Sequence, residues 1–121
     1  MSNPEVIIVH PDQDMIAIVK AACEQAGIFV LGGAHSFDLA ISMIASAANL
    51  HILFSEGNIS PGQTGGTEGD QLALLARTKH PSVVIAPISQ TTQWWSDFPQ
   101  DTLARPGLRE IVKKAKAKAG F

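Results

Sequence analysis

Five short apolar runs set the limits on what this chain can become: Val6-Ile7-Ile8-Val9, Ile28-Phe29-Val30-Leu31, His51-Ile52-Leu53-Phe54, Val83-Val84-Ile85-Ala86 and Thr102-Leu103-Ala104. They lack the in/out alternation of a half-exposed strand. Runs of this length suit central strands of a parallel sheet covered on both faces. Stretches of helical spacing lie between them, so the pattern predicts one doubly wound α/β domain over residues 1–121, built on a five-stranded parallel sheet. Such sheets place their functional crevice beyond the carboxyl ends of the strands. Here those ends carry His10-Pro11-Asp12, Ser55-Glu56, Ser89 and Arg105-Pro106.

The helices follow from caps and apolar spacing. The first is expected from about Asp14 to Ala26, with Asp12 or Asp14 as N-cap, Ile16, Val19 and Cys23 on one face, and Gly27 as the stop. The second follows Ser36 and turns Phe37, Ala40, Met43, Ile44 and Ala47 inward. A third starts near Glu68, buries Leu72, Leu75 and Ala76, and ends before Pro81. The last starts at Gly107, with Leu108, Ile111, Val112 and Ala115 inward and Lys113, Lys114, Lys116 and Lys118 outward.

The strand ends, in this order, resemble the receiver domain of bacterial response regulators over nearly the whole chain. Val6 to Met15 resembles the family's first strand and acidic loop, and Leu50 to Ile59 its third strand with the phosphoacceptor site. His80 to Ser89 resembles the fourth strand, which ends in Ser or Thr, and Leu103-Ala104-Arg105-Pro106 the fifth, where the family has Lys-Pro. The resemblance implies a flavodoxin-like topology and a phosphoacceptor site formed by Asp12, Ser55, Glu56, Ser89 and Arg105.

That site is degenerate. The family's paired Mg²⁺-binding carboxylates fall on His10 and Pro11; Pro has no side-chain ligand, and His is a poor partner for a hard cation that prefers oxygen. Only Asp12 remains, at the family's less constant third acidic position. The phosphoacceptor position falls on Glu56, since Asn58 and Ile59 then follow at the family's spacing, or on Ser55 if the strand is read one residue shorter. A Glu there sets a carboxylate one methylene farther out, as a fixed partial mimic of the phosphorylated state. Arg105 in place of the family's Lys keeps a cation near Glu56 and adds the capacity for a two-pronged grip.

Two segments depart from the family. Gly57 to Thr67 is longer and richer in Gly than the family's equivalent, and without a following Lys-Ser or Lys-Thr it reads as a surface loop rather than a phosphate cradle. After Ser89, only Gln90 to Asp101 precede the fifth run, too few for a full fourth helix, so the helix is expected to be shortened and the family's output face rebuilt. Trp94, Trp95 and Phe98 lie in that stretch. Two readings stand side by side: the aromatics cover apolar surface left bare by the missing turns, or they form an interaction site, where Trp is enriched.

Composition bounds the function. Nine Lys plus Arg against eleven Asp plus Glu leave a net charge of −2, which does not point to nucleic acid. Nothing in the N-terminal residues resembles a signal peptide, and the longest apolar stretches fall short of the ~20 residues of a membrane helix. The single cysteine, Cys23, fits a reducing cytoplasm and a filler role in the core. His10, His35, His51 and His80 have no ligand spacing, and His10 reads as a hydrogen-bonded loop residue.

The sequence is therefore read as a cytoplasmic pseudo-receiver that acts through contacts with a protein partner, or with a second copy of itself, in signalling or localisation. It is expected to have no enzymatic activity, no metal and no cofactor, and to bind neither nucleic acid nor membrane. The alternatives are an atypical but active phosphorelay receiver and a small-molecule sensor with its ligand in the strand-end crevice.

Overall fold

Among the described residues, four of the five apolar runs become strands. The computed structural model describes residues 5–89, 91, 93–103 and 107–121. Its elements are β1 (Glu5–Val9), α1 (Gln13–Gln25), β2 (Val30–Ala34), α2 (Phe37–Ser46), β3 (Leu50–Ser55), α3 (Thr67–Lys79), β4 (Val84–Pro87) and α4 (Leu108–Lys118). The strands are parallel in the order β2-β1-β3-β4. Two cores lie against the sheet. Val6, Ile8, Ile52 and Phe54 pack with Val19 and Cys23 of α1 and Ile111, Val112 and Ala115 of α4. Ile7, Val9 and Leu53 pack on the other face with Ala40 and Ile44 of α2 and Leu72, Ala73 and Ala76 of α3. Each fully buried aliphatic side chain contributes roughly 1.5–3 kcal/mol.

Helix boundaries follow the capping chemistry. Asp12 is the N-cap of α1, its Oδ1 accepting from Asp14 N–H at 2.9 Å. At the other end Gly27 has φ +79°, its N–H donates to Glu24 O, and Ile28 N–H donates to Cys23 O. This paired closure is the Schellman arrangement. It also corrects the second strand, which starts at Val30 rather than at Ile28, because Gly27 and Ile28 are spent on ending α1. The strand then runs on through Gly32 and Gly33. A Cβ on Gly32 would strike Met43 of α2, and one on Gly33 would strike Ile16 of α1. Ser36 caps α2 through Leu39 N–H at 3.2 Å.

Among the described residues the sheet has four strands, not the expected five. Thr102 makes only an isolated bridge and Leu103 lies in a turn, while Ala104, Arg105 and Pro106 fall outside the described residues. Two contacts explain the loss. Asp97 has taken the place beside β4: its N–H donates to Ile85 O at 2.8 Å and its carboxylate accepts from Ile85 N–H at 2.6 Å. Farther along, Leu103 N–H donates to Ser89 O at 2.9 Å. One folded-back segment thus satisfies the edge that a fifth strand would cover. Among the described residues from Thr91 to Leu103 there is no helix at all, so the fourth helix is lost rather than shortened.

The basic face of α4 is partly anchored. Lys114 pairs with Asp101 at 2.8 Å, and Lys116 Nζ donates to Ala26 O at 2.6 Å, which helps close α1. Cys23 is fully buried, and burial pushes its thiol up to about 12, so it packs as an inert apolar group. Among the described residues no helix is long and apolar enough to cross a membrane.

Candidate functional site

Parallel register brings the strand ends together. Val9 is paired with Ser55, and Ser55 with Pro87, so the residues that follow β1, β3 and β4 rim one crevice. His10 comes from the first, Glu56 from the second and Ser89 from the third.

His10 is tied in at two points. Its N–H donates to Ala34 O, and its Nδ1 accepts from Asp12 N–H at 3.0 Å. An accepting Nδ1 puts the proton of the neutral ring on Nε2, which lies 3.9 Å from Glu56 Oε2. Burial lowers the His10 pKa, against the opposing pull of Glu56 and Asp12. The ring is therefore neutral near pH 7 and does not form a charged pair with Glu56. As expected from the sequence, His10 is a hydrogen-bonded loop residue.

Glu56 is half-buried and held by its own turn. Its N–H donates to Val9 O, and its Oε1 accepts from Gly57 N–H at 2.7 Å. Ser55 is fully buried, and its hydroxyl donates to the Glu56 carbonyl at 2.8 Å. Ser89, also buried, is engaged by its own segment: its Oγ accepts from Gln93 Nε2 at 3.1 Å and from Thr91 N–H at 3.3 Å. Asp12 is exposed and occupied as the cap of α1. Arg105 lies outside the described residues. Among the described residues no three His, Cys, Asp or Glu side chains gather closely enough to hold a metal ion.

The segment after Ser89 enters the crevice. Trp95 is buried in the α2/α3 core, 3% exposed, whereas Trp94 is 65% exposed and Phe98 packs half-buried against the α1/α4 core. The core-cover reading thus holds for Trp95, while Trp94 stays exposed. Three glycines cradle Trp95 and Gln93. A Cβ on Gly69 would sit 2.7 Å from Trp95 Cε2, one on Gly66 2.9 Å from Gln93 Oε1, and one on Gly57 would strike the Gln93 amide. Gln93 and Trp95 fill this end of the sheet. The Trp95 Nε1–H is buried without a hydrogen-bond partner among the described residues.

The Gly-rich loop is pinned by residues that the sequence reading left without a role. Glu68, in the first turn of α3, accepts from Ile59 N–H at 2.8 Å, Ser60 N–H at 2.7 Å and the Ser60 hydroxyl. Asn58 Oδ1 accepts from Gly66 N–H at 2.9 Å. An acidic residue in a first helical turn was the available signal for Glu68; nothing local marks Gln93 or Asp97. Burial pushes the Glu68 pKa up, but the Ser60 hydroxyl and the two N–H donors outweigh it and the net shift is downward. A lowered carboxylate pKa gives stability that is complete above the unfolded value of 4.5 and is lost as pH falls below it. Glu68→Gln is accordingly expected to flatten the acid limb of the stability curve below about pH 4.5 while lowering stability at pH 7. Urea titrations at several pH values check this, and an unchanged acid limb would refute it.

The sequence matches no protein-family model and no curated protein. Solved structures do match. A two-component response regulator from Clostridium difficile superposes with a TM-score of 0.72 at 22% identity, over 96% of this chain and 95% of the other. A response regulator receiver protein from Sinorhizobium medicae WSM419 gives 0.75 at 18% identity, over 98% and 95%. A CheY-like receiver domain protein from Methanospirillum hungatei JF-1 gives 0.73 at 16% identity, over 98% and 94%. The chain has the receiver fold. Identities this low carry the fold and no further, so the chemistry of the crevice rests on its own residues.

Proposed function

We propose that this domain is a pseudo-receiver that works in signal transduction or protein localisation through protein contacts, without Mg²⁺-dependent phosphorylation of an aspartate, enzymatic activity or a cofactor. The observation that carries this reading is the state of the strand-end groups. Where a receiver would hold Mg²⁺ and accept a phosphoryl group, the crevice offers a neutral His10, a Pro11 without a side-chain ligand, a Glu56 bonded to Gly57, and a Ser89 engaged by Gln93 and Thr91. A hard divalent cation takes several oxygen ligands, and the side chains here supply the half-buried carboxylate of Glu56 and the exposed one of Asp12, each with one oxygen already bonded to a backbone N–H.

Signal output in this reading is constitutive. The segment that replaces the fourth helix is wedged into the core by Trp95 and Gln93 and leaves Trp94 exposed. An exposed tryptophan on a fixed support suits a docking anchor for a protein partner. Millimolar Mg²⁺ with acetyl phosphate is expected to leave the protein mass and the amide shifts of His10, Glu56 and Ser89 unchanged. A stable phosphoryl adduct, or a saturable shift confined to these residues, would establish the active-receiver alternative. A ligand carried through purification in the crevice would favour the sensor alternative.

A further inference from the structure

The two edges of the sheet are treated differently. Beside β4, Asp97 takes up both backbone groups of Ile85, and Leu103 bonds Ser89. Strand β2, at the opposite edge, has no neighbour on its outer side among the described residues. Natural sheets usually protect such an edge with charge, proline or a covering element. The run Ile28 to Ala34 contains no charged residue and no proline. One device is present: Leu31 is the extra residue where the register with β1 shifts. It puts an apolar side chain, 48% exposed, at the edge rather than a charge.

Exposed apolar side chains gather around this edge. Phe29 is 62% exposed and Leu39 38%. Beside them an open groove of about 530 Å³ runs along Leu31, Gly32 and Gly33, walled by Ile16 and Leu39. The two glycines carry no side chain of their own, and Met43 and Ile16 fill the places of their Cβ atoms from the two helical layers.

We propose that β2 is a self-association edge: two copies of the chain join β2 to β2 in antiparallel fashion and so continue the sheet across a twofold axis. Charge selects this occupant. The groove carries one fully charged side chain, Lys20, and so offers little to a strongly acidic or basic partner. A neutral apolar strand is what it complements, and the chain supplies one in β2 itself. With the axis near Gly32, Leu31 of each copy lies opposite Gly33 of the other and meets the Ile16 side chain that covers it, and Phe29 of each extends the apolar contact. Main-chain bonds set the alignment and the flanking apolar side chains supply the affinity. A five-residue strand is a small interface, so the dimer is weak and concentration-dependent.

The surface lies on the opposite edge of the sheet from Trp94 and is independent of the pseudo-receiver reading. Sedimentation equilibrium from low-micromolar to near-millimolar concentration is the test, with hydrogen exchange of the β2 amides alongside. The expected result is a monomer–dimer equilibrium with β2 protection rising with concentration, abolished by Leu31→Lys and by Phe29→Lys and unaffected by Trp94→Ala. Both lysine substitutions are at exposed positions, so the fold survives at least one, as circular dichroism will verify. A monomer throughout the range overturns the proposal, whether the edge then stays free or takes a foreign strand. A dimer that persists in both lysine variants, or is lost in Trp94→Ala alone, also overturns it.

Discussion

Trp95→Ala is expected to cost ~3–5 kcal/mol of folding stability, the range for truncating a large aromatic in a closed core. Trp95 is 3% exposed and packs in the cluster that holds Leu72, Ala73 and Ala76 together with Ile7, Val9 and Leu53. Its removal would empty the glycine cradle and free the segment that covers the β4 edge. For a domain of ordinary stability, ~5–15 kcal/mol in total, that is a large fraction. Trp94→Ala is expected to change stability by no more than ~0.5 kcal/mol, since its side chain is 65% exposed. The same change should weaken partner capture if Trp94 is the anchor, at a typical cost of ~2 kcal/mol or about thirtyfold in affinity. Denaturant titration of both variants separates them. Equal losses would mean that the two tryptophans share one environment, contrary to the structure.

Gly69→Ala is expected to destabilise the fold by ~1–3 kcal/mol, although propensity alone favours the change. In a solvent-exposed helix, Ala in place of Gly gains about 1 kcal/mol. Here the added methyl would lie 2.7 Å from Trp95 Cε2 and 2.8 Å from the backbone Cα of Gly57. One neighbour is a wedged indole and the other is main chain, so neither yields cheaply, and overpacking of this kind costs ~1–3 kcal/mol. The net effect is predicted to be a loss accompanied by a shift in tryptophan emission as Trp95 moves. A gain in stability with unchanged emission would show that Trp95 does not occupy the cradle.

Much of the fold was legible because it rests on short-range rules. Apolar runs marked β1, β3 and β4 to within about a residue, and Ser36, Gly27 and Pro81 marked helix ends through caps and stops whose physics is local. The meeting of His10, Glu56 and Ser89 at one edge was legible too, since parallel strands gather their carboxyl ends. The second strand was placed two residues early because Ile28, apolar and next to a β-rich run, is claimed by the closure of α1. The strand runs on past the apolar run through two glycines, where side chains of helices on both faces come close to its backbone.

The chain's own sequence determined the parallel α/β architecture, because apolar runs at fixed positions make the strands, and it set His10 and Pro11 at the carboxyl end of β1, on which the proposed loss of receiver chemistry rests. Tertiary structure alone decided the fate of the segment after Ser89. Whether an Asp carboxylate caps a strand edge, as Asp97 does at Ile85, and which of two adjacent tryptophans turns inward depend on vacant backbone groups and on glycines some 25 to 40 residues earlier in the chain. No local pattern encodes such partners. They exist only once β3, α3 and β4 have assembled, and that is why the fifth strand expected at Thr102 gave way to a loop that met the same hydrogen-bonding demand first.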